Sequence, residues 1–179
     1  MPCASKRNYE ADTNDANALV DQFGIECRTV DLTAVRQAHL NELEKVCTIN
    51  DMALIGAYAI GAAENRLVAG TGNRSERHMG YFTKWGDGAC DFNPISDLTA
   101  TEVFEFLEYL KAPRCIIDKA PSAGLYDGQT DEQDMGVTYK AIDTYLLTGE
   151  VNEADKAIID RYHSRSEHKR RPITLYKND

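Results

Sequence analysis

One glycine-rich stretch in the middle of the chain carries the densest set of side chains able to handle an anionic ligand. Gly70 and Gly72 let a ligand approach the backbone closely, and Glu76 offers a carboxylate suited to a magnesium ion. Thr71 and Lys84 add a hydroxyl and an ammonium, which suit phosphate or carboxylate groups. The same residues also fit an ordinary glycine turn with capping and surface charges, so both interpretations remain open at this point.

A strand followed by a helix must position these side chains. The apolar run Leu67-Val68-Ala69 leads into the glycine turn, as a parallel strand does at its C-terminal edge, where ligands bind. Residues 25–32 predict a short buried strand, and the apolar stretch Met52–Ala63 predicts a central helix packed on several sides. Apolar periodicity predicts further helices over residues 8–23, 35–46, 98–110, 137–147 and 153–162. Strands alternating with helices predict an α/β fold with a parallel sheet.

The composition of the whole chain limits the class of protein. With 179 residues, 42% of them hydrophobic, residues 1–179 suffice for a single domain with a sizeable core. The formal charge of -9 argues against nucleic acid or an anionic membrane and favours a small-molecule partner. No apolar run approaches the roughly 20 residues that span a bilayer, so we expect a soluble, cytoplasmic protein. The five cysteines are scattered without a C-x-x-C pair, which favours reduced thiols.

Three blocks of the sequence resemble the NAD synthetase family. The first, Gly70–Glu76 followed by Gly80–Gly88, is similar to the family's nucleotide-binding segment, GTGN-x-SE and then GYFTK-x-GDG. The second, Lys119–Leu125 with Asp127–Glu132, resembles its flexible active-site loop, and the third, Ser166–Arg171, resembles its C-terminal signature. The blocks occur in the family's order, and the resemblance extends over about Met1 to Pro172.

This resemblance implies a fold and a reaction. The fold is α/β of the adenine nucleotide α-hydrolase type, a Rossmann-like parallel sheet with helices on both faces. In the reaction, the nicotinate carboxylate of deamido-NAD attacks the α-phosphorus of ATP and releases pyrophosphate, and ammonia then displaces AMP to give NAD. A homodimer with the dinucleotide site at the subunit interface is also implied. Free ammonia is the simpler nitrogen source, because no glutaminase domain is attached to this sequence.

The resemblance also assigns roles where residues match the family's motifs. It implies ATP contacts at Thr71 and Ser122, a Mg²⁺ ligand at Glu76, and deamido-NAD contacts at Lys84, Asp91, His168 and Lys169. Asp87 lies near the reacting carboxyl in this scheme and is the candidate base that takes a proton from ammonium. Structural alternatives remain for two of these sites: Ser122 as a turn residue, and Arg165–Arg171 as a solvated basic segment.

The sequence departs from the family in three places. No segment matches the family's pyrophosphate-binding loop, SGG-x-DS, so that loop and the first strand are absent from the sequence. Thr48–Leu54 stands where the family usually has NI-x-x-RLRM, which removes two arginines. Ala100 stands where the family commonly has a lysine that contacts ATP, and a methyl group cannot replace an ammonium facing phosphate.

Two explanations compete for these departures. Either residues are omitted from the given sequence, or the chain is a truncated, diverged relative that does not adenylate its substrate. Ala100 favours the second explanation, but losing a central strand exposes apolar surface and unpaired backbone groups, so we favour omission. A non-catalytic protein that binds the dinucleotide and dimerises is therefore the alternative function. A third possibility, an ATP pyrophosphatase acting on another acid, is disfavoured by the first and third blocks.

Three other side chains carry weaker signals. His163 lies in a helical pattern, where a solvated or capping role is favoured over catalysis. Trp85, the only tryptophan, packs either against a ligand or within the domain. His78 has no partner that the sequence identifies.

Overall fold

The computed structural model describes residues 10–43 and 56–175, which form ten helices and one isolated parallel bridge, Ala69 with Phe92. The chain divides into two compact units, Met1–Met52 with Phe104–Asp134 and Ala53–Val103 with Met135–Asp179. Among the described helices, none has the length and apolar character needed to cross a membrane. The helices are α1 (Glu10–Phe23), α2 (Thr33–Leu43), α3 (Gly56–Glu64), α4 (Arg74–Met79), α5 (Ala100–Tyr109), α6 (Arg114–Ile117), α7 (Asp131–Met135), α8 (Tyr139–Thr148), α9 (Glu153–Arg165) and α10 (Glu167–Arg170).

The first unit is helical where it is described. Helix α1 ends at Phe23, and Gly24 follows in the left-handed conformation, φ 62°, as the sequence predicted. The Lys119 ammonium donates to the carboxylates of Asp12 (2.6 Å) and Asp15 (2.5 Å) on α1. These ion pairs tie α1 to the segment that leads from α6 into the predicted active-site loop.

The prediction of a short buried strand at residues 25–32 is wrong about burial. This segment has no strand pairing in the structure, and the Ile25 side chain is 55% exposed. Charged and polar residues interrupt its apolar ones, and the Arg28 guanidinium pairs locally with the Glu26 carboxylate at 2.9 Å. A segment with so few apolar side chains gains little from burial on two faces.

The second unit has its core between α4, α8 and α9. Its buried apolar side chains are Met79, Ala100, Met135, Val137, Tyr139, Ile142 and Ile159. Helix α8 forms where the apolar period predicts it, because the Thr138 side chain caps its first turn and Gly149, φ 78°, ends it. Helix α9 likewise begins at an Asn152 cap. Both closing helices predicted from the sequence are confirmed.

A close backbone contact joins the end of α4 to the end of α9. Gly80 is left-handed, φ 66°, and a Cβ atom built there would lie 2.0 Å from the Ser166 Cβ. The Ser166 hydroxyl donates to the Tyr162 carbonyl (2.7 Å) and accepts from the Arg170 guanidinium (2.7 Å). Arg170 also donates to the His78 carbonyl at 3.2 Å, so it bonds a backbone oxygen at the end of α4.

The apolar helix predicted over Met52–Ala63 is present from Gly56 as α3, but it is not enclosed. Tyr58 is 39% and Ile60 is 40% exposed, and among the residues of α3 whose burial is described only Gly61 is buried. The expectation of a central, multiply packed helix is therefore wrong for the described residues. The predicted departure at Thr48–Leu54 and the start of the chain at Met1-Pro2-Cys3 lie outside the described residues.

Replacing Gly80 with alanine tests the contact with Ser166. We expect Gly80→Ala to lower the free energy of unfolding by about 2–4 kcal/mol, because it adds a steric overlap to a left-handed backbone. Gly149→Ala is the matched control, since Gly149 is also left-handed but has open space around the added carbon. It should lower the free energy by about 1 kcal/mol. Urea unfolding of the two variants measures both, and equal losses would contradict the close contact.

Candidate active site

The strand and turn that precede α4 are held by the segment around Asp91. The Gly70 N–H donates to the Phe92 carbonyl at 2.7 Å, and the Asp91 N–H donates to the Val68 carbonyl at 2.9 Å. The Asp91 carboxylate in turn accepts the Val68 N–H at 2.8 Å. A side chain at Gly70 would bring its Cβ to 2.6 Å from the Cys90 sulfur, so the approach of these segments requires glycine. The isolated parallel bridge between Ala69 and Phe92 agrees with the parallel strand predicted at Leu67–Ala69.

Helix α4 begins with a capping box that uses Glu76. The Asn73 side chain accepts the Glu76 N–H, and the Glu76 carboxylate accepts the Asn73 N–H, each at 2.9 Å. Asn93 supports the preceding turn by donating to the Gly72 carbonyl at 2.8 Å. Thr71 is exposed beside this turn. Glu76 therefore has a structural role in addition to the metal-binding role predicted from the sequence.

The donor set at Glu76 fits magnesium. Mg²⁺ commonly takes one or two protein carboxylates and completes its octahedron with substrate phosphates and water. Over residues 10–43 and 56–175 no three His, Cys, Asp or Glu side chains are placed to share a metal ion. The Glu76 carboxylate, which accepts the Asn73 N–H, is the kind of oxygen ligand that Mg²⁺ takes together with substrate phosphates.

The two lysines of the predicted substrate site connect the first and third sequence blocks, because each lysine bonds backbone carbonyls of the other block. The Lys84 ammonium donates to the His168 carbonyl at 2.5 Å. The Lys169 ammonium donates to the Gly80 carbonyl at 2.8 Å and to the Phe82 carbonyl at 2.5 Å. The structure thus brings together two segments that are more than 80 residues apart in the sequence.

Asp87 lies on the turn that also carries Lys84. Its carboxylate accepts the Thr83 N–H at 2.7 Å and is exposed. Burial lowers the pKa of the Lys169 ammonium, and the nearby negative charge of Asp87 partly offsets this effect. Asp87 therefore lies within electrostatic reach of Lys169. Trp85 on the same turn is 65% exposed, so packing within the unit does not account for it.

Ser122 lies in the first unit, whereas the other predicted site residues lie in the second. Its hydroxyl accepts the Gly124 N–H at 3.1 Å, which is the turn role that the sequence left open. The rest of this loop is ordered by Gln129, which is 5% exposed and accepts the Leu125 N–H at 2.7 Å. Gln129 also donates to the Asp134 carboxylate at 2.5 Å.

A buried acid on α8 was missed by the sequence analysis. Asp143 is 3% exposed and accepts hydrogen bonds from the Ser75 hydroxyl, the Thr101 N–H (2.8 Å) and the Thr101 hydroxyl (2.6 Å). The signal that identifies it is spacing, because Asp143 shares one helical face with the buried Tyr139 and Ile142. A carboxylate on an apolar face requires buried donors.

Two histidines that the sequence left without partners stack on each other. The His78 and His163 rings have centroids 4.1 Å apart, and the His163 Nδ1 lies 3.0 Å from the His78 carbonyl oxygen. The predicted solvated role of His163 is wrong, since its ring is half-buried against α4, whereas its contact with a last-turn carbonyl of α4 agrees with the predicted capping role. Burial, then His163 and Arg170, lower the pKa of His78 from 6.5 to about 4, while Asp160 opposes the shift.

The comparisons with known proteins identify the family. The family model for NAD synthase matches residues 1–178. The NH(3)-dependent NAD(+) synthetase of Carboxydothermus hydrogenoformans is 45% identical over 182 residues, covering 96% of this chain and 74% of that protein. The chain belongs to the NAD synthase family.

Solved structures show the same fold. The NMN synthetase of Francisella tularensis superposes with a TM-score of 0.91 at 40% identity, covering 99% of this chain and 77% of that one. The NH3-dependent NAD synthetase of Campylobacter jejuni, at 23% identity, superposes with a TM-score of 0.69, covering 99% and 76%. The second likeness concerns the fold alone. Together with the parallel pairing at Ala69, these structures support the α/β class.

The histidine pair predicts a pH-dependent stability. The folded-state pKa of His78 lies below its unfolded value, so its contribution is fully present above pH 6.5 and is lost as the pH falls from 6.5 towards 4. After discounting for partial solvent exposure, we expect a loss of roughly 1–2 kcal/mol over that window. Urea unfolding of the wild type and of His78→Gln at pH 7.5 and 4.5 measures it. If both proteins lose the same stability, His78 does not titrate in this way.

Proposed function

We propose that this chain is an ammonia-dependent NAD synthetase that adenylates deamido-NAD with ATP and then amidates it. The observation that carries the proposal is the cluster of Lys84, Asp87 and Lys169, in which Lys169 bonds the Gly80 carbonyl directly after α4. Two cations and a carboxylate around one short helix suit a substrate that has both phosphate and carboxylate groups. Family membership supplies the reaction that such a cluster serves.

In the proposed first step, the nicotinate carboxylate attacks the α-phosphorus of ATP, and pyrophosphate leaves. Lys84 and Lys169 hold anionic groups of deamido-NAD, Asp91 and His168 contact the same substrate, and together they orient its carboxylate. Thr71 and Ser122 contact ATP in this proposal. Glu76 would hold Mg²⁺, which when bound would supply positive charge against the leaving pyrophosphate.

In the proposed second step, ammonia attacks the carbonyl carbon of the acyl adenylate and AMP leaves. Ammonia is largely ammonium at neutral pH, so a base must accept a proton before or during attack. Asp87 fills that role, because its carboxylate is exposed and held by the Thr83 N–H. We further propose that the enzyme works as a cytoplasmic homodimer.

An activity assay tests the proposal directly. Purified protein supplied with deamido-NAD, ATP, Mg²⁺ and ammonium should form NAD and AMP in equal amounts. Omitting ammonium should abolish NAD formation, because ammonia supplies the amide nitrogen in this proposal. ATP hydrolysis without NAD would refute it, and deamido-NAD binding without Mg²⁺-dependent ATP binding would instead identify the non-catalytic relative.

The metal role of Glu76 has its own test. Glu76→Gln keeps the capping box, since glutamine also bonds the N-cap backbone, but removes the charge that binds Mg²⁺. Loss of several kcal/mol of charge stabilisation should lower kcat by roughly 100-fold or more while the unfolding midpoint changes little. Steady-state kinetics with a parallel urea titration measure both quantities. Unchanged turnover would remove Glu76 as the metal ligand.

A second candidate substrate follows from one comparison. The Francisella tularensis protein, named an NMN synthetase, superposes with a TM-score of 0.91 at 40% identity. This likeness favours testing a mononucleotide acid, nicotinate mononucleotide, as the substrate. The same assay with both acids compares their kcat/KM values. A ratio above about tenfold for either acid, or about 1.4 kcal/mol, assigns the natural substrate.

A further inference from the structure

One carboxylate connects the first turns of two helices in the second unit. Asp143 projects from α8 and accepts the Ser75 hydroxyl on one oxygen. Its other oxygen accepts the Thr101 N–H at 2.8 Å and the Thr101 hydroxyl at 2.6 Å. The Ser75 hydroxyl also accepts the Ala100 N–H at 3.0 Å. Helix α4 and helix α5 therefore begin against the same charged group.

The geometry fixes α4 more firmly than packing alone does. Ser75 is 0% exposed and is the second residue of a helix only six residues long. So short a helix has little stability of its own, and its orientation depends on the groups that hold its ends. The Arg74 N–H donates to the Leu98 carbonyl at 2.7 Å, and the Arg74 guanidinium donates to the Leu146 carbonyl at 3.3 Å. These two hydrogen bonds also hold α4.

Glu76 follows Ser75 directly and shares its helical turn. A rotation of α4 about its axis that breaks the bond from Ser75 to Asp143 also moves the Glu76 carboxylate and the Gly72 turn before it. Neither Lys84 nor Asp87 lies on α4, and both are held by other contacts, to His168 and to Thr83. A disturbance at Asp143 thus reaches Glu76 and the Gly72 turn first, whereas Lys84 and Asp87 keep contacts of their own and Lys169 bonds the Gly80 carbonyl at the opposite end of α4.

We propose that Asp143 is a positioning residue that acts through Ser75 to place Glu76 and the Thr71 turn for Mg²⁺ and ATP. This inference rests on the proposed function. It assigns Asp143 to the adenylation half of the reaction and leaves the Lys84 and Asp87 part of the nicotinate substrate's site independent of it. Misplacement of a binding group by about 1 Å is enough to cause a large kinetic effect.

Three variants test the proposal. Asp143→Asn places an amide N–H₂ against hydroxyl and N–H donors, so it disrupts at least one side of the network. Ser75→Ala removes only the link to α4. Thr101→Val is the matched control, because it removes a hydroxyl donor from the same carboxylate on the α5 side and keeps the Thr101 N–H. A urea titration confirms that each variant is folded under the assay conditions.

The expected result is a split between the two substrates. Asp143→Asn and Ser75→Ala should raise the KM for Mg·ATP and the half-saturating Mg²⁺ concentration about tenfold, with the KM for deamido-NAD changed less than about twofold. Thr101→Val should leave all three constants near those of the wild type. Equal changes in both KM values, or the same ATP effect in Thr101→Val, would overturn the proposal.

Amide hydrogen exchange gives a readout that does not need turnover. Residues 71–76 should exchange faster in Asp143→Asn and Ser75→Ala than in the wild type, with α9 unchanged. Wild type that makes no NAD refutes the proposed function, whatever the exchange result. Unchanged exchange over residues 71–76 in both variants overturns the positioning role, whether or not the wild type is active.

Discussion

The buried Asp143 carboxylate is the interaction on which the second unit depends. Removing a carboxylate from water is expensive, and hydrogen bonds from surrounding donors must offset the loss of hydration. Asp143 has three such donors, one from Ser75 and two from Thr101. Because the donors come from the first turns of α4 and α5, this carboxylate on α8 holds the starts of both helices together. Breaking the network leaves buried polar groups unpaired, which typically destabilises a protein by about 3–5 kcal/mol.

The opposite end of α4 is held by a cation. The Arg170 guanidinium donates to the His78 carbonyl at 3.2 Å and to Ser166, whose position requires a glycine at residue 80. Negative groups at the start of a helix and positive groups at its end both interact favourably with its dipole. Helix α4 thus receives complementary charges at both ends despite its length of six residues. Lys169 adds a second cation at the same end by bonding the Gly80 carbonyl.

The sequence predicts the local features of this arrangement and misses its long-range ones. The helix end at Gly24 and the glycine turn after Ala69 follow from nearby residues, because caps and turns are local structures. The α3 helix was predicted, but its burial was not predicted correctly, since an apolar period gives a helix's face and not its neighbours. The role of Asp143 depends on segments that meet only in the fold. The family's motifs, in contrast, predict the site residues without any geometry, and those roles stay predictions.

Position 100 illustrates how the fold and the chemistry separate. Ala100 is 3% exposed and belongs to the same buried cluster as Met79 and Ile142, so its methyl group fits the core. A lysine there would have to extend its charged end out of that cluster to reach a phosphate. The alanine is therefore consistent with this packing, and its presence is no defect of the fold.

The two substrate lysines already have partners, yet they retain the capacity to bind an anion. An ammonium carries three donors, and Lys169 directs two of them to backbone carbonyls, Gly80 and Phe82. A carboxylate or phosphate forms a stronger, charge-assisted bond than a neutral carbonyl does, so it competes successfully for the ammonium. Burial lowers the pKa of Lys169, and a bound anion would raise it again. Binding of an anionic substrate at the proposed site and protonation of Lys169 would therefore favour each other.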